Sequence, residues 1–222
     1  MLQQINKKII FYISLVIILG TFNNKNFKNF DLPKINMVNI EGIEFNDNEY
    51  FKIMNLIKLD NLFSVQKSQI KEILNSNNLI EEYEVFKRYP SSIEIKIKKT
   101  NFLASTNVNG KNYIVGSNGK FINTKEYSQN LPFIFGNFET EKFLEFKNII
   151  LQTRFKYNNI ENFYYFPSGR WDIEMISGVL IKLPITGIKE ALNLSIDLLD
   201  DIEFSNIKIL DIRQKDQIVI ND

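Results

Sequence analysis

The chain has 222 residues, 44% of them apolar, with 27 lysines and arginines against 26 acidic residues and a net charge near +1. That length supplies one large or two small folded units, two being the working number, and the interleaved charges leave no basic field to attract a nucleic-acid backbone. Cysteine and histidine are both absent, which excludes disulfides, thiolate nucleophiles, Cys/His zinc sites and an imidazole base, and leaves only carboxylate chemistry or an oxygen-ligand metal site open.

The first element is "IIFYISLVIILGTF", residues 9–22, a run of 14 residues without a charge that follows Lys7 and Lys8. At about 1.5 Å per residue it covers roughly 21 Å, short of a hydrocarbon core of about 30 Å. Length alone favours a signal-peptide core, yet Gly20-Thr21-Phe22-Asn23 lacks the small-residue pair a peptidase needs. The run therefore reads as an uncleaved transmembrane anchor behind a short cytoplasmic tail, 1–8. Lys7 and Lys8 are balanced by Lys25 and Lys28, so charge hardly sets orientation. Orientation follows from size, with the bulk of the chain exported, and residues 23–36 form a polar linker.

Next, "VNIEGI" is a short strand, and helical spacing of Tyr50, Ile53, Met54 and Ile57, then of Val65, Ile70, Ile73 and Leu74, predicts two helices. "LIEEYEVFKRYP" and "SSIEIKIKK" are two strands meeting at Tyr89-Pro90, because proline fits a turn and not a central strand. Residues 37–99 thus form a β-α-α-β-β unit with both helices on one face. Ile93, Ile95 and Ile97 face those helices, and Glu94, Lys96 and Lys98 make a solvated face of mixed sign.

A second unit, 100–222, opens with Tyr113-Ile114-Val115 and Lys120-Phe121-Ile122 around "GSNG", in which Asn118-Gly119 signals a tight hairpin rather than a phosphate loop. "LPFIFGN" closes that region. "ETEKFLEFKNIILQTRFK" reads as a helix with Phe143, Phe146, Ile150 and Leu151 inward, and its Glu141 and Glu145 as ordinary surface acids. "IENFYYFP", "GRWDIEMIS" and "GVLIKLP" are three strands crowded with Phe163, Tyr164, Tyr165, Phe166 and Trp171, rings that serve either the core or an interface. A last helix, "GIKEALNLSIDLLDD", precedes two short strands around Lys215-Asp216. Asp200, Asp201, Asp211 and Asp216 fall near loops or strand ends, where turn chemistry accounts for them.

In order and punctuation these segments resemble one family, the FtsQ/DivIB bacterial cell-division proteins, and the FtsQ branch above all. "VNIEGI", "VFKRYPSSIEIKIKK", "NGKNYIVGSNGKFI", "LPFIFG", "GRWDIEMISGVLIKLP" and "ILDIRQKDQIVI" occur collinearly after one anchor. The resemblance implies an α+β chain: a single transmembrane helix, a POTRA domain at 37–99, and an FtsQ-type β domain at 100–222 with a mixed or antiparallel sheet and flanking helices. It implies a single-pass type II protein of the bacterial inner membrane, its bulk periplasmic and at the division septum. No catalytic, cofactor or metal residues are implied, and neither nucleic acid nor a small-molecule substrate. The implied role is a divisome scaffold whose β domain recruits FtsB- and FtsL-type proteins, whose POTRA and anchor region meets an FtsK-type protein, and which helps control septal peptidoglycan synthesis.

By position the family places its partner edge on Arg213, Gln214, Gln217, Ile218, Val219 and Ile220, with Arg170 and Trp171 as neighbours. A strand closing the chain is expected at a sheet edge, where it can accept an incoming strand. Aromatic side chains expected there are missing, which leaves backbone pairing as the transferable part. An alternative is a POTRA-bearing component of protein translocation or outer-membrane assembly, which requires a β-barrel. A carboxylate-based wall hydrolase would require two converging acids about 5 to 10 Å apart.

Overall fold

The computed structural model describes residues 7–21, 32–44, 47–58, 61–123, 131–200, 207–214 and 217–221. The apolar run forms helix α1 (Lys7–Thr21), whose 15 residues include no buried side chain. No helix among the described residues is long and apolar enough to cross a membrane, and 15 residues of helix span only about 22 Å.

Strand β1 (Met37–Glu41), helices α2 (Asp47–Lys58) and α3 (Lys67–Ser76), and strands β2 (Ile80–Arg88) and β3 (Ser92–Lys99) build the first unit in the expected order. The sheet runs β1-β3-β2, β1 being parallel and β2 antiparallel to β3. Ile93, Ile95 and Ile97 pack with Ile53, Ile57, Ile70 and Leu74 in one core, the period-2 and period-3.6 stripes closing on each other. Two details differ from the sequence reading: Val65 is buried but precedes α3, and Tyr50 is 43% exposed in the first turn of α2. The opposite face is a ladder of ion pairs, Arg88–Glu94 at 2.7 Å, Lys96–Glu94 at 3.4 Å and Lys98–Glu82 at 3.4 Å. The Arg88 hydrogen bond holds the Glu94 carboxyl below the usual range.

The second unit comprises β4 (Phe102–Val108), β5 (Lys111–Gly116), β6 (Phe121–Ile122), β7 (Phe133–Phe135), α4 (Thr140–Leu151), β8 (Ile160–Tyr165), β9 (Trp171–Met175), β10 (Leu180–Lys182), α5 (Ile188–Leu199), β11 (Ile209–Gln214) and β12 (Gln217–Asn221). Its nine strands form one mixed sheet ordered β12-β11-β10-β9-β8-β7-β4-β5-β6. The predicted β5–β6 hairpin and the β8–β9–β10 meander are present. Strand β4 is additional, joined to β5 by Asn109 and Gly110, both at positive φ (52° and 78°), the conformation a two-residue hairpin turn needs.

Phe143, Phe146 and Ile150 of α4 and Ala191 and Leu192 of α5 pack against Ile134, Phe163, Trp171, Ile173, Ile181 and Leu210 of the sheet. Leu151, expected inward, is 57% exposed. At 100° per residue it sits roughly 100° around the helix from the stripe of Phe143, Phe146 and Ile150. The Trp171 ring lies 5.0 Å from Phe146 with 4° between planes, a parallel stack at the centre of the core.

A polar clasp joins the two units. The Asn118 amide donates to the carbonyls of Asn78 (2.9 Å) and Ile80 (3.0 Å), Asn78 donates to Phe121 O (2.9 Å), and Lys120 Nζ donates to Asn75 O (3.0 Å). Thr100 and Ser117 hydroxyls both donate to one oxygen of Glu81, at 2.8 and 2.7 Å. The "GSNG" turn is thus a docking element as well as a hairpin.

Candidate partner-binding edge

Strand β12 ends the large sheet and, among the described residues, pairs only with β11. The antiparallel register matches Ile209 with Asn221, Leu210 with Ile220 and Asp211 with Val219, then slips at a bulge before Gln214 pairs Gln217. Alternation explains the anchoring half: Leu210 and Ile212 are buried, and Ile220 packs on the same core. The outer strand is left with Ile218 42% and Val219 51% exposed, and its sequence, QIVIN, carries no charge.

The bulge opens the sheet on both sides of Arg213, Gln214 and Gln217. Toward α5, a groove of about 840 Å³ runs between Pro184, Gly187 and Leu194 on one wall and Ile212, Gln214 and Ile218 on the other. On the opposite face, a hollow of about 290 Å³ is lined by Asp211, Arg213, Gln214, Gln217 and Val219. Arg213 is held there by Asp211, Nε donating at 2.8 and 3.0 Å and Nη2 at 2.6 Å. This pairing draws the Asp211 carboxyl below the usual aspartate range.

The structure gathers Arg213, Gln214, Gln217, Ile218 and Val219 at one edge and turns Ile220 to the core. Arg170 immediately precedes β9, the third strand in from β12, and reaches Asp172, which heads the row Asp172–Lys182–Asp211. Its guanidinium pairs with Asp172 at 3.1 Å and covers the Phe166 ring at 4.1 Å. Burial raises the Asp172 carboxyl, although Arg170 and the Leu183 N–H both favour its ionised form. Trp171 has to be removed from the candidate surface: it is 3% exposed and stacked on Phe146, because its side chain alternates to the helix-covered face. The crowded rings divide likewise, Phe163 fully buried and Tyr164 stacked on Phe135 at 5.0 Å on the other face.

Sequence reasoning missed the α5 wall of the groove. Leu194 is 40% exposed, off the buried stripe of Ala191, Leu192 and Ser195, and the exposed Ile185 lies just upstream. The signal available was the apolar surplus of "PITGIKEALNL" beyond one inward face. A hollow of similar size, about 880 Å³, lies against Leu103, Phe133, Lys147 and Tyr157. Three of its polar groups are engaged within the fold, the Tyr157 hydroxyl donating to Leu103 O at 2.8 Å, Lys147 standing 5.5 Å from the Tyr157 ring and the Asn162 amide donating to Glu174 at 2.8 Å. Of the acids near turns, Asp200 caps α5 and Asp211 lies within β11, while Asp201 and Asp216 fall outside the described residues.

Fold and edge together define a two-unit α+β protein whose large sheet ends in an uncharged, exposed strand beside a groove. The chain belongs to the FtsQ/DivIB family of cell division proteins: a family model described as the POTRA domain, FtsQ-type, matches residues 34–99, and one described as cell division protein FtsQ/DivIB, C-terminal, matches 104–213. Among curated relatives, cell division protein FtsQ of Rickettsia bellii is 26% identical over 191 residues, 84% of this chain and 72% of that protein. Cell division protein DivIB of Clostridium botulinum, strain Loch Maree, is 28% identical over 138 residues, 60% of this chain and half of that protein. A solved structure, the major extracytoplasmic domain of the trans isomer of DivIB from Geobacillus stearothermophilus, is 14% identical. It covers 50% of this chain and 99% of its own at a TM-score of 0.35, too distant a likeness to build on.

Proposed function

We propose that this chain is a non-enzymatic scaffold of the FtsQ branch, acting in the bacterial divisome. Residues 9–22 anchor it in the inner membrane, 23–36 are a linker, and a POTRA domain (37–99) and β domain (100–222) stand in the periplasm at the septum. Every described residue of α1 is exposed, Ile9 to Leu19 among them, so this helix needs an apolar environment that the protein does not itself supply. Snorkelling of Lys7 and Lys8 and local thinning of the bilayer offset its shortness.

The observation carrying the reading is the uncharged, exposed edge β12. An extended segment of an FtsB- or FtsL-type partner adds to it by backbone pairing, with alternate side chains entering the α5 groove beside Ile218 and Leu194. An FtsK-type protein meets the POTRA and anchor region, and the assembly regulates septal peptidoglycan synthesis. The alternative role in translocation or outer-membrane assembly requires a barrel, whereas this sheet runs open from β12 to β6.

A proline at Val219 removes a donor from the edge. Co-purification of Val219→Pro with FtsB and FtsL homologues of its own cell is expected to be lost while the unfolding transition of the β domain persists; undiminished co-purification by a folded variant would reject β12 as the site. At the cellular level, depletion is expected to give filaments without septa.

A further inference from the structure

The far end of the small unit carries a surface that the edge at β12 does not use. Three segments meet there: the incoming chain at 33–36, the α2–α3 connection at 61–66 and the β2–β3 turn at 89–91. Lys34 bridges Asn61, the Asn36 N–H donates to Ser91 O at 3.0 Å, and the Ser91 hydroxyl donates to Asn36 at 3.1 Å. Lys87 Nζ donates to Leu62 O and to Val65 O, the latter at 2.9 Å, tying the second segment to the third.

On this tied base Phe63 and Tyr89 stand side by side, ring centroids 5.6 Å apart, each 65% exposed. Met37, 63% exposed, starts β1 opposite Ser92 at the same end. Among the described residues these three large apolar side chains, held outward by a hydrogen-bonded frame, belong to neither core. The β domain is no candidate cover, because its clasp engages Asn75, Asn78 and Ile80 at the other end of β2 and β3.

The chain itself indicates what lies opposite. Only residues 22–31 separate α1 from the described chain at Leu32, and ten residues reach at most roughly 35 Å when fully extended. With α1 in a bilayer, the entry segment at 33–36, and with it the end of the small unit that carries Phe63, Tyr89 and Met37, stays within that reach of the membrane. Tyrosine and phenylalanine beside lysine and arginine suit the headgroup boundary, where rings enter and cations meet lipid phosphates. Of the described cations at this end Lys34 is exposed, whereas Lys87 Nζ is held by Leu62 O and Val65 O and Arg88 is paired with Glu94.

We propose that the Phe63–Tyr89 pair with Met37 is a lipid-surface contact that seats the small unit against the bilayer. It rests on the reading of α1 as an anchor, and the test separates the two. The absence of native cysteine permits single-site spin labelling of the full chain in vesicles of phosphatidylethanolamine and phosphatidylglycerol. Labels at Met37→Cys, Ile17→Cys and Gln217→Cys are compared for collision with oxygen and with a water-soluble nickel reagent.

The expected result is hydrocarbon depth at Ile17, headgroup depth at Met37 and water at Gln217, with depth at Met37 lost in the Phe63→Ser/Tyr89→Ser background while the thermal transition remains. Water exposure at Met37 with Ile17 still immersed overturns the lipid contact and leaves the rings to a protein partner. Water exposure at Ile17 overturns the anchor and the contact together. Unchanged depth at Met37 in the double variant overturns the assignment to the two rings.

Discussion

The two sheets treat their edges in opposite ways. Edge strand β2 of the small sheet, nine residues long, carries Glu81, Glu82, Glu84, Lys87 and Arg88, and β1 carries Glu41; at the far end of the large sheet β6 is only two residues long. Charge and shortness are the usual protections against unwanted strand pairing. β12 has neither, with five residues, no charge and two exposed β-branched side chains. On the proposed reading, the difference distinguishes an edge closed to other chains from one left available.

The comparison breaks most severely in the core that supports β12. Trp171→Ala removes the stack on Phe146 and is expected to cost about 3–5 kcal/mol, read by urea unfolding, with partner binding falling only through loss of folded protein. Giving β12 the character of β2 is the sharper test: Ile218→Glu with Val219→Lys should weaken partner binding by about tenfold or more, roughly 1.4 kcal/mol, in a titration of the purified chain. Stability should change by less than that, because both side chains are largely exposed.

Loosening the link between the units comes next. Asn118→Ala deletes two hydrogen bonds to the small unit and is expected to cost about 1 kcal/mol while broadening the inter-unit distance distribution between paired spin labels. Edge binding in isolation should survive it.

The smallest effect is electrostatic and contrasts two arginine–aspartate pairs. Asp211 is depressed by Arg213, so it binds protons less readily folded than unfolded; it adds stability above the ordinary aspartate value and loses it as pH falls through its lowered folded value. Asp172 is raised by burial, so its ionisation opposes folding as pH climbs from the ordinary value of 3.8 through the raised one. Carboxyl titration followed by NMR should place Asp211 below and Asp172 above 3.8, and the cost of Asp211→Asn should disappear in acid.

Much of this was legible because period and punctuation agree. Ile93, Ile95 and Ile97 set one face of β3, and Phe143, Phe146 and Ile150 set one stripe of α4, so each could be assigned to a core without knowing its partner. Strand β4 was not legible: "FLASTNV" is weakly apolar, and Leu103, Ala104 and Thr106 are all buried, which erases the alternation a half-buried strand shows. Trp171 was ambiguous for another reason, since a ring suits a core or an interface equally and only the register of β9 decides. The edge position of β12 could be anticipated from a closing strand, but the groove needed α5 in place, a contact between segments remote in sequence.

The parallel pairing of β1 with β3 has a mechanical meaning. The chain enters β1 at Met37 and leaves β3 at Lys99, and the two strands run side by side from Met37–Ser92 to Glu41–Lys96. A pull between the N-terminal side of β1 and the β domain therefore drags these strands past each other along their length. The ladder is loaded in shear, all five residue pairs resisting together, rather than peeled one bond at a time. A chain loaded in this way between its N-terminal side and its β domain would keep its small unit folded under tension.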